Sequence, residues 1–211
     1  MADFLRLTDL APDPHRPGAL RLSVNGKPYC AIAAESELAA SLAVGQSLDA
    51  GVRERVEQAA DAEAAYRAVL RALTRRPHAR TDLERRLVRR GHPPGAVAAA
   101  LNRAAAAGLI DDARFALDFV QTRAARGRGP ARIRRDLLAA GVAGAIIEQA
   151  LAQGWPAERS TETAALELAR KRAAQLGTLS PTVKRRRLLA YLVRRGFAGP
   201  EVRAAVSRLL K

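Results

Sequence analysis

The sequence has few of the residues on which several protein classes depend. Cys30 is the single cysteine among 211 residues, and one thiol cannot close an intramolecular disulfide, so disulfide-stabilised extracellular folds are excluded. Aromatic residues make up 4% of the chain. The longest apolar runs are short and rich in alanine, and the N-terminus has no basic region followed by an apolar stretch, so we expect neither a membrane span nor a signal peptide. The expected location is the cytoplasm, with no membrane partner.

Catalytic and metal-binding patterns are also lacking. The histidines stand at three separate positions, His15, His78 and His92. They lie far from the one cysteine in the sequence, so no zinc-binding pattern is present. Asp111 and Asp112 are adjacent carboxylates, but at a predicted helix start a capping role is favoured over acid/base or metal chemistry. The glycine-rich string GRGP at 127–130 lacks the Lys-Ser/Thr pair of a P-loop. We therefore expect a protein that is not an enzyme and that has no cofactor and no metal.

Basic residues, in contrast, are abundant. The chain has 36 lysines and arginines against 21 aspartates and glutamates, which gives a net charge of +15. Residues 1–60 contain six basic and eight acidic side chains and residues 61–211 contain thirty and thirteen, so the two parts have net charges of −2 and +17. A surface this positive indicates a polyanionic partner. Hydrophobic residues make up 48% of the chain, which predicts a folded core rather than a disordered protein.

The first 60 residues are predicted to form a leader with a β-hairpin. Asn25 and Gly26 accept positive φ and stand between two β-prone runs, a pattern typical of a hairpin turn. Pro28 cannot donate to a strand ladder, so we expect a turn longer than two residues or a second strand that starts after this proline. An Ala- and Glu-rich stretch at 33–42, followed by Gly45, predicts a short helix.

From about Asp61 onwards the sequence predicts helices. Seven glycines follow apolar helical runs and predict helix ends in the left-handed conformation: Gly91, Gly108, Gly127, Gly141, Gly154, Gly177 and Gly196. Four prolines suit the first turn of a helix: Pro94, Pro130, Pro181 and Pro200. Thr81 followed by Glu84 has the spacing of a capping box, and Asp111 with Asp112 places negative charge at a helix N-terminus. These signals together predict about nine helices.

The nine helices form three copies of one unit. Aligning Gly91, Gly141 and Gly196 places apolar residues at the same offsets in all three copies. These positions lie eight and four residues before each glycine and six and ten after it: Leu83, Leu87, Val97 and Leu101; Ile133, Leu137, Ile147 and Leu151; Leu188, Leu192, Val202 and Val206. Steps of four mark one helix face. We therefore predict a mainly all-α fold of three tandem three-helix repeats, elongated and curved, with boundaries at 61–108, 109–155 and 156–211.

Arginines are the candidate contacts to an anionic partner. The predicted binding residues lie on the middle helix of each repeat and in the loop before the second one: Arg85, Arg86, Arg89, Arg90, Arg123, Arg126, Arg128, Arg132, Arg134, Arg135, Lys184, Arg185, Arg186, Arg187, Arg194 and Arg195. Guanidinium groups hold phosphate or carboxylate through paired hydrogen bonds, so a nucleic-acid backbone and an acidic protein groove both fit. Tyr66, Phe115 and Phe119 recur at helical spacing, which favours core packing over stacking on bases. Trp155 has no predicted role.

Three segments resemble the RecX family of bacterial recombination regulators. They are RPHARTDLERRLVRRGHPPGAVAAAL at 76–101, GLIDDARFALDFV at 108–120 and RGRGPARIRRDLLAAGV at 126–142. The string GLIDDARF followed by the GRGP turn is quite specific. The resemblance extends from Ala65 to Leu151; the third repeat fits more loosely, and the first 60 residues fit as the variable leader that such proteins have.

This resemblance implies a three-repeat modulator of the RecA recombinase. Proteins of the family bind the RecA filament on single-stranded DNA, lie in or near its helical groove, and inhibit ATP hydrolysis, strand exchange and co-protease activity. For this chain it implies a role in DNA recombination, DNA repair and the SOS response, with RecA and the phosphates of single-stranded or duplex DNA as partners. We expect a monomer.

Two alternatives remain open from the residues themselves. A sequence-specific DNA regulator could use the three-helix units as helix-turn-helix modules and insert Arg85, Arg86 and Arg89 into a major groove. A general basic DNA-binding protein would instead bind single and double strands alike through their phosphates.

Overall fold

A computed structural model of the chain describes residues 5–156 and 160–210. Within these ranges there are three strands: β1 (Leu7–Pro12), β2 (Ala19–Val24) and β3 (Lys27–Ala33). The same ranges contain ten helices: α1 (Glu37–Ser41), α2 (Ala50–Leu73), α3 (Arg80–Arg89), α4 (Pro94–Ala106), α5 (Asp112–Ala125), α6 (Pro130–Ala139), α7 (Gly144–Gly154), α8 (Thr161–Ala174), α9 (Pro181–Arg195) and α10 (Pro200–Leu209). The expected mainly helical fold with an N-terminal β element is confirmed.

The three strands form one antiparallel sheet in the order β1-β2-β3. Asn25 and Gly26 have φ of 49° and 76° and connect β2 to β3, which confirms the hairpin. The prediction of a longer turn or a later strand was wrong, because Val24 pairs directly with Lys27 and Pro28 lies inside β3. A register shift follows Pro28, and β3 is an edge strand. A bulge and an edge position are the places where a strand tolerates proline.

Helix α2 begins at Ala50, earlier than the expected start near Asp61. The signal for this start is Asp49, whose side chain accepts a hydrogen bond from the Val52 amide at 2.8 Å. The first turns of α2 are polar on their outer face, but Val52 and Val56 are buried in the core beneath the sheet. Because only about one residue per turn is apolar in this part of α2, it has no broad apolar stripe from which the sequence could predict a helix. The predicted short helix is α1, which ends before Gly45.

The aligned apolar positions of the three repeats form the helical cores. Each of the twelve is buried, with an exposed fraction between 0% and 8%: Leu83, Leu87, Val97, Leu101, Ile133, Leu137, Ile147, Leu151, Leu188, Leu192, Val202 and Val206. Around them the structure divides into two compact units, 1–110 and 111–211. The first contains the sheet and helices α1 to α4, and the second contains α5 to α10. None of the described helices is both long enough and apolar enough to cross a membrane.

Gly154 does not end its helix in the left-handed conformation, so that prediction was wrong. It is the last residue of α7 and is buried. A Cβ added there would lie 3.0 Å from Leu117 Cδ1 and 3.1 Å from Val120 Cγ1, so this glycine allows α7 to pack closely against α5. The other six glycines have positive φ and confirm the predicted ends.

Most predicted helix starts are confirmed. Each of the four prolines occupies the first turn of its helix: Pro94 in α4, Pro130 in α6, Pro181 in α9 and Pro200 in α10. Asp111 caps α5 by accepting from the amides of Ala113 and Arg114, both at 2.9 Å. The capping box at Thr81 was a wrong prediction, because α3 starts at Arg80 and its N-cap is Ala79. Ala79 is completely buried, and no side chain caps this end of the helix.

Candidate nucleic-acid interface

Helix α3 presents its four predicted arginines on an exposed surface. Arg85, Arg86, Arg89 and Arg90 are all exposed. Asp82 lies 2.9 Å from Nε of Arg86 and 2.8 Å from Nδ1 of the buried His78. Burial raises the pKa of Asp82, but the hydrogen bonds to Arg86 and His78 outweigh it and hold that pKa below its ordinary value. Arg86 is therefore held in place by an ionised carboxylate.

A cleft lies between α2 and α3, beside this ion pair. Five arginines line it: Arg71, Arg75, Arg76, Arg86 and Arg90. The cavity has a volume of about 270 Å³. The first three of these arginines are absent from the predicted contacts, because they lie on the first helix of the repeat and its C-terminal end and the prediction considered the middle helices. The available signal was the basic run RALTRRP at 71–77. We call this feature the α2–α3 cleft.

In the second unit, two of the predicted arginines of α6 are engaged in ion pairs. Arg132 lies 2.9 Å from Asp136, one turn along the helix. Arg134 reaches Glu148 of α7 with two hydrogen bonds of 2.6 and 2.7 Å, which lower the pKa of Glu148. Arg135 is exposed. A surface pair of this kind contributes little to stability, so it serves mainly to fix the position of the guanidinium group.

The GRGP loop is joined to the C-terminal end of α9. The Gly129 amide donates to the Arg195 carbonyl at 2.8 Å, and Nη1 of Arg195 reaches the carbonyls of Arg126 and Gly127 at 3.3 and 3.5 Å. A Cβ at Gly129 would overlap the Gly196 carbonyl, and a Cβ at Gly196 would overlap the backbone of Arg132. The two glycines therefore permit a direct backbone contact. This contact brings Arg126, Arg132 and Arg195 together, although they are up to 69 positions apart in sequence.

The remaining predicted residues lie on α5, on the loop after it and on α9. Arg126, Arg185, Arg186, Arg187 and Arg194 are exposed, and Arg123, Arg128, Lys184 and Arg195 are half-buried. The Arg123 guanidinium lies 4.8 Å from the centre of the Phe119 ring, and the rings of Phe115 and Phe119 are 5.9 Å apart. Both rings are half-buried, so the expected core packing is only partial. Trp155, without a predicted role, lies edge-on to the buried Phe197 at 6.4 Å.

Metal-ligating side chains are not clustered in the part of the chain that the structure describes. No three His, Cys, Asp or Glu side chains within residues 5–156 and 160–210 are grouped so that they could hold a metal ion. Burial, together with the charge of Glu57, raises the pKa of Cys30 to about 11. At neutral pH this thiol is protonated and a poor nucleophile.

Comparison with known proteins gives one consistent family. The chain matches three sequence-family models, described as the first, second and third three-helix domains of RecX, at residues 65–103, 111–151 and 160–206. A "Regulatory protein RecX" of Halorhodospira halophila is 40% identical over 154 residues, which is 72% of this chain and 91% of that protein. One of Xanthomonas oryzae pv. oryzae is 40% identical over 136 residues, 63% of this chain and 81% of the other.

Solved structures show the same fold. A crystal structure described as regulatory protein RecX superimposes with a TM-score of 0.74 over 98% of both chains, at 21% identity. The RecX structure from Lactobacillus salivarius gives a TM-score of 0.59 at 22% identity and covers 71% of this chain and 96% of that one.

Proposed function

Because the chain belongs to the RecX family of regulatory proteins, we propose that it is a non-enzymatic regulator of the RecA recombinase. It binds the RecA filament on single-stranded DNA and inhibits ATP hydrolysis, strand exchange and co-protease activity. It acts as a monomer in the cytoplasm, where it serves DNA recombination, DNA repair and the SOS response.

The observation that supports this proposal is the set of exposed arginines without carboxylate partners. On the middle helices α3, α6 and α9 this set comprises Arg89, Arg90, Arg135, Arg185, Arg186, Arg187 and Arg194. None of them forms an ion pair with a carboxylate in residues 5–156 or 160–210. Exposed guanidinium groups that the protein itself does not neutralise are available to phosphates and to acidic side chains. A nucleoprotein filament offers both.

Arginine contacts to DNA phosphates and arginine contacts to acidic protein side chains predict different dependences of the binding affinity. Arginine contacts to DNA phosphates make affinity fall steeply with salt and give no sequence preference. Contacts to acidic side chains of the filament add affinity that bare DNA cannot supply. We therefore expect tighter binding to RecA-coated than to bare single-stranded DNA.

The decisive experiment is a RecA ATPase assay on single-stranded DNA. The protein is added at substoichiometric and then at equal amounts relative to RecA, at low salt. We expect inhibition at substoichiometric amounts, because a regulator of a filament affects many subunits for each molecule bound. If the ATPase rate is unchanged at equal amounts and low salt, the proposal is wrong.

An excess of free DNA separates this function from the alternatives. A general basic DNA-binding protein inhibits RecA only by competing for DNA, so that its inhibition disappears when single-stranded DNA is in large excess. A helix-turn-helix regulator prefers one duplex over random DNA by several kcal/mol. Inhibition that persists in excess DNA, without a preferred duplex, supports the filament as the target.

A further inference from the structure

The α2–α3 cleft brings arginines from two helices together around one cavity. Arg71 lies in the last turn of α2, and Arg75 and Arg76 follow the end of that helix. Arg86 and Arg90 approach from α3 and its C-cap. Five arginines therefore line one cavity of about 270 Å³.

The protein supplies little negative charge to this cleft. Among the described residues, Arg71, Arg75, Arg76 and Arg90 form no ion pair with a carboxylate. Asp82 is the carboxylate beside the cleft, and it is already bound to His78 and Arg86. Like charges that converge without a counter-charge repel one another, and an anion in the cavity removes that repulsion.

Part of the cleft is also fixed in position. Asp82 holds the Arg86 Nε through both carboxylate oxygens, at 2.9 and 3.0 Å, and the buried His78 holds Asp82 from the other side. Leu83 and Leu87 lie at the base of the cleft and are only 1% and 2% exposed. A guanidinium group that is held before binding loses less side-chain entropy when an anion arrives.

We propose that the α2–α3 cleft binds phosphates of a nucleic-acid backbone. The inference rests on the proposed function in that DNA is the anion of the target filament. A phosphodiester backbone offers successive anions with no need for apolar subsites. The cleft fits that ligand because five arginines line it, while three of its apolar residues, Ala68, Leu83 and Leu87, are buried and Ala72 is half-buried. An acidic peptide would also need acceptors for its backbone amides, and arginine side chains only donate hydrogen bonds.

The test compares two double variants of the same helix region. Arg71→Gln with Arg75→Gln removes two charges from the cleft. Arg53→Gln with Arg55→Gln removes two exposed charges from the N-terminal half of α2, outside the cleft. All four residues are exposed, so both variants should fold, as circular dichroism checks. The probe is a fluorescein-labelled oligothymidylate, and its dissociation constant is measured by anisotropy over a series of salt concentrations.

We expect the cleft variant to lower the slope of log affinity against log salt by about 1.4, since each lost contact to a single strand contributes about 0.7. The control variant should keep the wild-type slope. Equal slopes for the two variants, or a wild-type protein that does not bind the oligonucleotide, would overturn the proposal. Weaker binding of the cleft variant to poly-glutamate with an unchanged DNA slope would assign the cleft to acidic protein and overturn it as well.

A second measurement uses a small anion. Inorganic phosphate should raise the melting temperature of the wild type and of the control variant more than that of the cleft variant, because a ligand that binds only the folded state stabilises it. An equal rise in all three contradicts the proposal.

Failure of the cleft and failure of the proposed function give different results. If the wild type inhibits the RecA ATPase but both variants keep the same salt slope, the cleft assignment is wrong and the function stands. If the cleft variant has a lower slope of log affinity against log salt but the wild type does not inhibit RecA, the cleft binds phosphate and the proposed function is wrong.

Discussion

The carboxylate of Glu63 is completely buried, and its Oε2 lies 2.7 Å from Nη1 of Arg103, 40 residues further along the chain. The other carboxylate oxygen of Glu63, Oε1, lies 2.5 Å from Nε of Arg67. Arg67 also donates to the Pro17 carbonyl at 2.7 Å, and Arg103 also pairs with Glu35 at 2.7 Å. One buried carboxylate therefore holds two arginines that bind the N-terminal segment to helices α2 and α4.

Replacing Glu63 by Ala should be severely destabilising. It leaves two arginines without their shared buried partner, and the loss of one member of a buried ion pair typically costs about 3–5 kcal/mol. Urea unfolding followed by circular dichroism measures the change. Glu84→Ala on the exposed face of α3 is the control, with an expected change within about 0.5 kcal/mol. Similar stability of the two variants would show that the Glu63 network contributes no net stability.

Replacing Gly129 by Ala should weaken the contact between the GRGP loop and α9. Gly129 has φ of −82°, so alanine adds no backbone strain, and the effect comes from the overlap of its Cβ with the Gly196 carbonyl. Such overpacking costs about 1–3 kcal/mol. Gly95→Ala, where a Cβ meets nothing within 4 Å, should be neutral or slightly stabilising. Thermal unfolding of both variants checks this, and a Gly129 variant as stable as the Gly95 variant would contradict the close approach.

Adjacent leucines of α6 offer a matched test of the repeat core. Leu137 is 0% exposed and Leu138 is 52% exposed. Leu137→Ala should cost about 2–5 kcal/mol because it leaves a cavity, and the same reasoning applies to Leu87 and Leu192. Leu138→Ala should cost less than about 1 kcal/mol. Urea unfolding distinguishes the two, and equal losses would mean that the assigned helix face is wrong.

Charge removal from the GRGP loop and from the exposed face of α6 should weaken inhibition of the RecA filament. We expect Arg126→Gln with Arg135→Gln to raise the concentration needed for half-inhibition of the RecA ATPase by about 10-fold, as two contacts of about 0.7 kcal/mol each would. Arg114→Gln with Arg170→Gln removes the same charge from exposed sites on α5 and α8. This control should change the half-inhibition concentration far less. If the two double variants are equally impaired, net charge rather than position determines inhibition.

Cys30 should react slowly with thiol reagents in the folded protein. Burial and Glu57 raise its pKa to about 11, so at pH 8 its thiolate fraction is on the order of 10²-fold lower than that of a free cysteine of pKa about 8.5. Because the chain has no other cysteine, the rate of reaction with a disulfide reagent reports this thiol alone. The rate should rise sharply in urea. Rapid reaction without denaturant would show that the pKa is not raised.

Local patterns predicted the parts of the fold that depend on neighbours in sequence. The leucines at 87, 137 and 192 are buried as their four-residue spacing indicates, and the prolines begin their helices because the first turn needs no amide donor. The Arg132–Asp136 pair was not predicted, although its four-residue spacing is the one at which helical ion pairs form.

The sequence patterns did not predict contacts between segments that are distant in the chain. In the sequence, Glu63 is typical of a surface residue of α2. In the structure, the packing of α4 places Arg103 against it. In the sequence, Gly154 is typical of a helix end. In the structure, a glycine at this position allows the close approach of α5. The α2–α3 cleft likewise depends on how two helices cross, and hydrophobic periodicity defines their faces without defining that crossing.

Helix α2 is continuous over 24 residues, a length of about 36 Å. Its first half completes the core beneath the sheet, and its second half forms a second core with α3 and α4. The place where net charge changes sign, near residue 60, therefore lies in mid-helix. A shortened form of this protein that starts there would lose the first core entirely and keep the buried residues of the second, but Arg67 and Arg103 would lose their contacts to Pro17 and Glu35. The slightly acidic sheet region and the basic cleft therefore belong to one folded unit, and α2 makes the folding of each depend on the other.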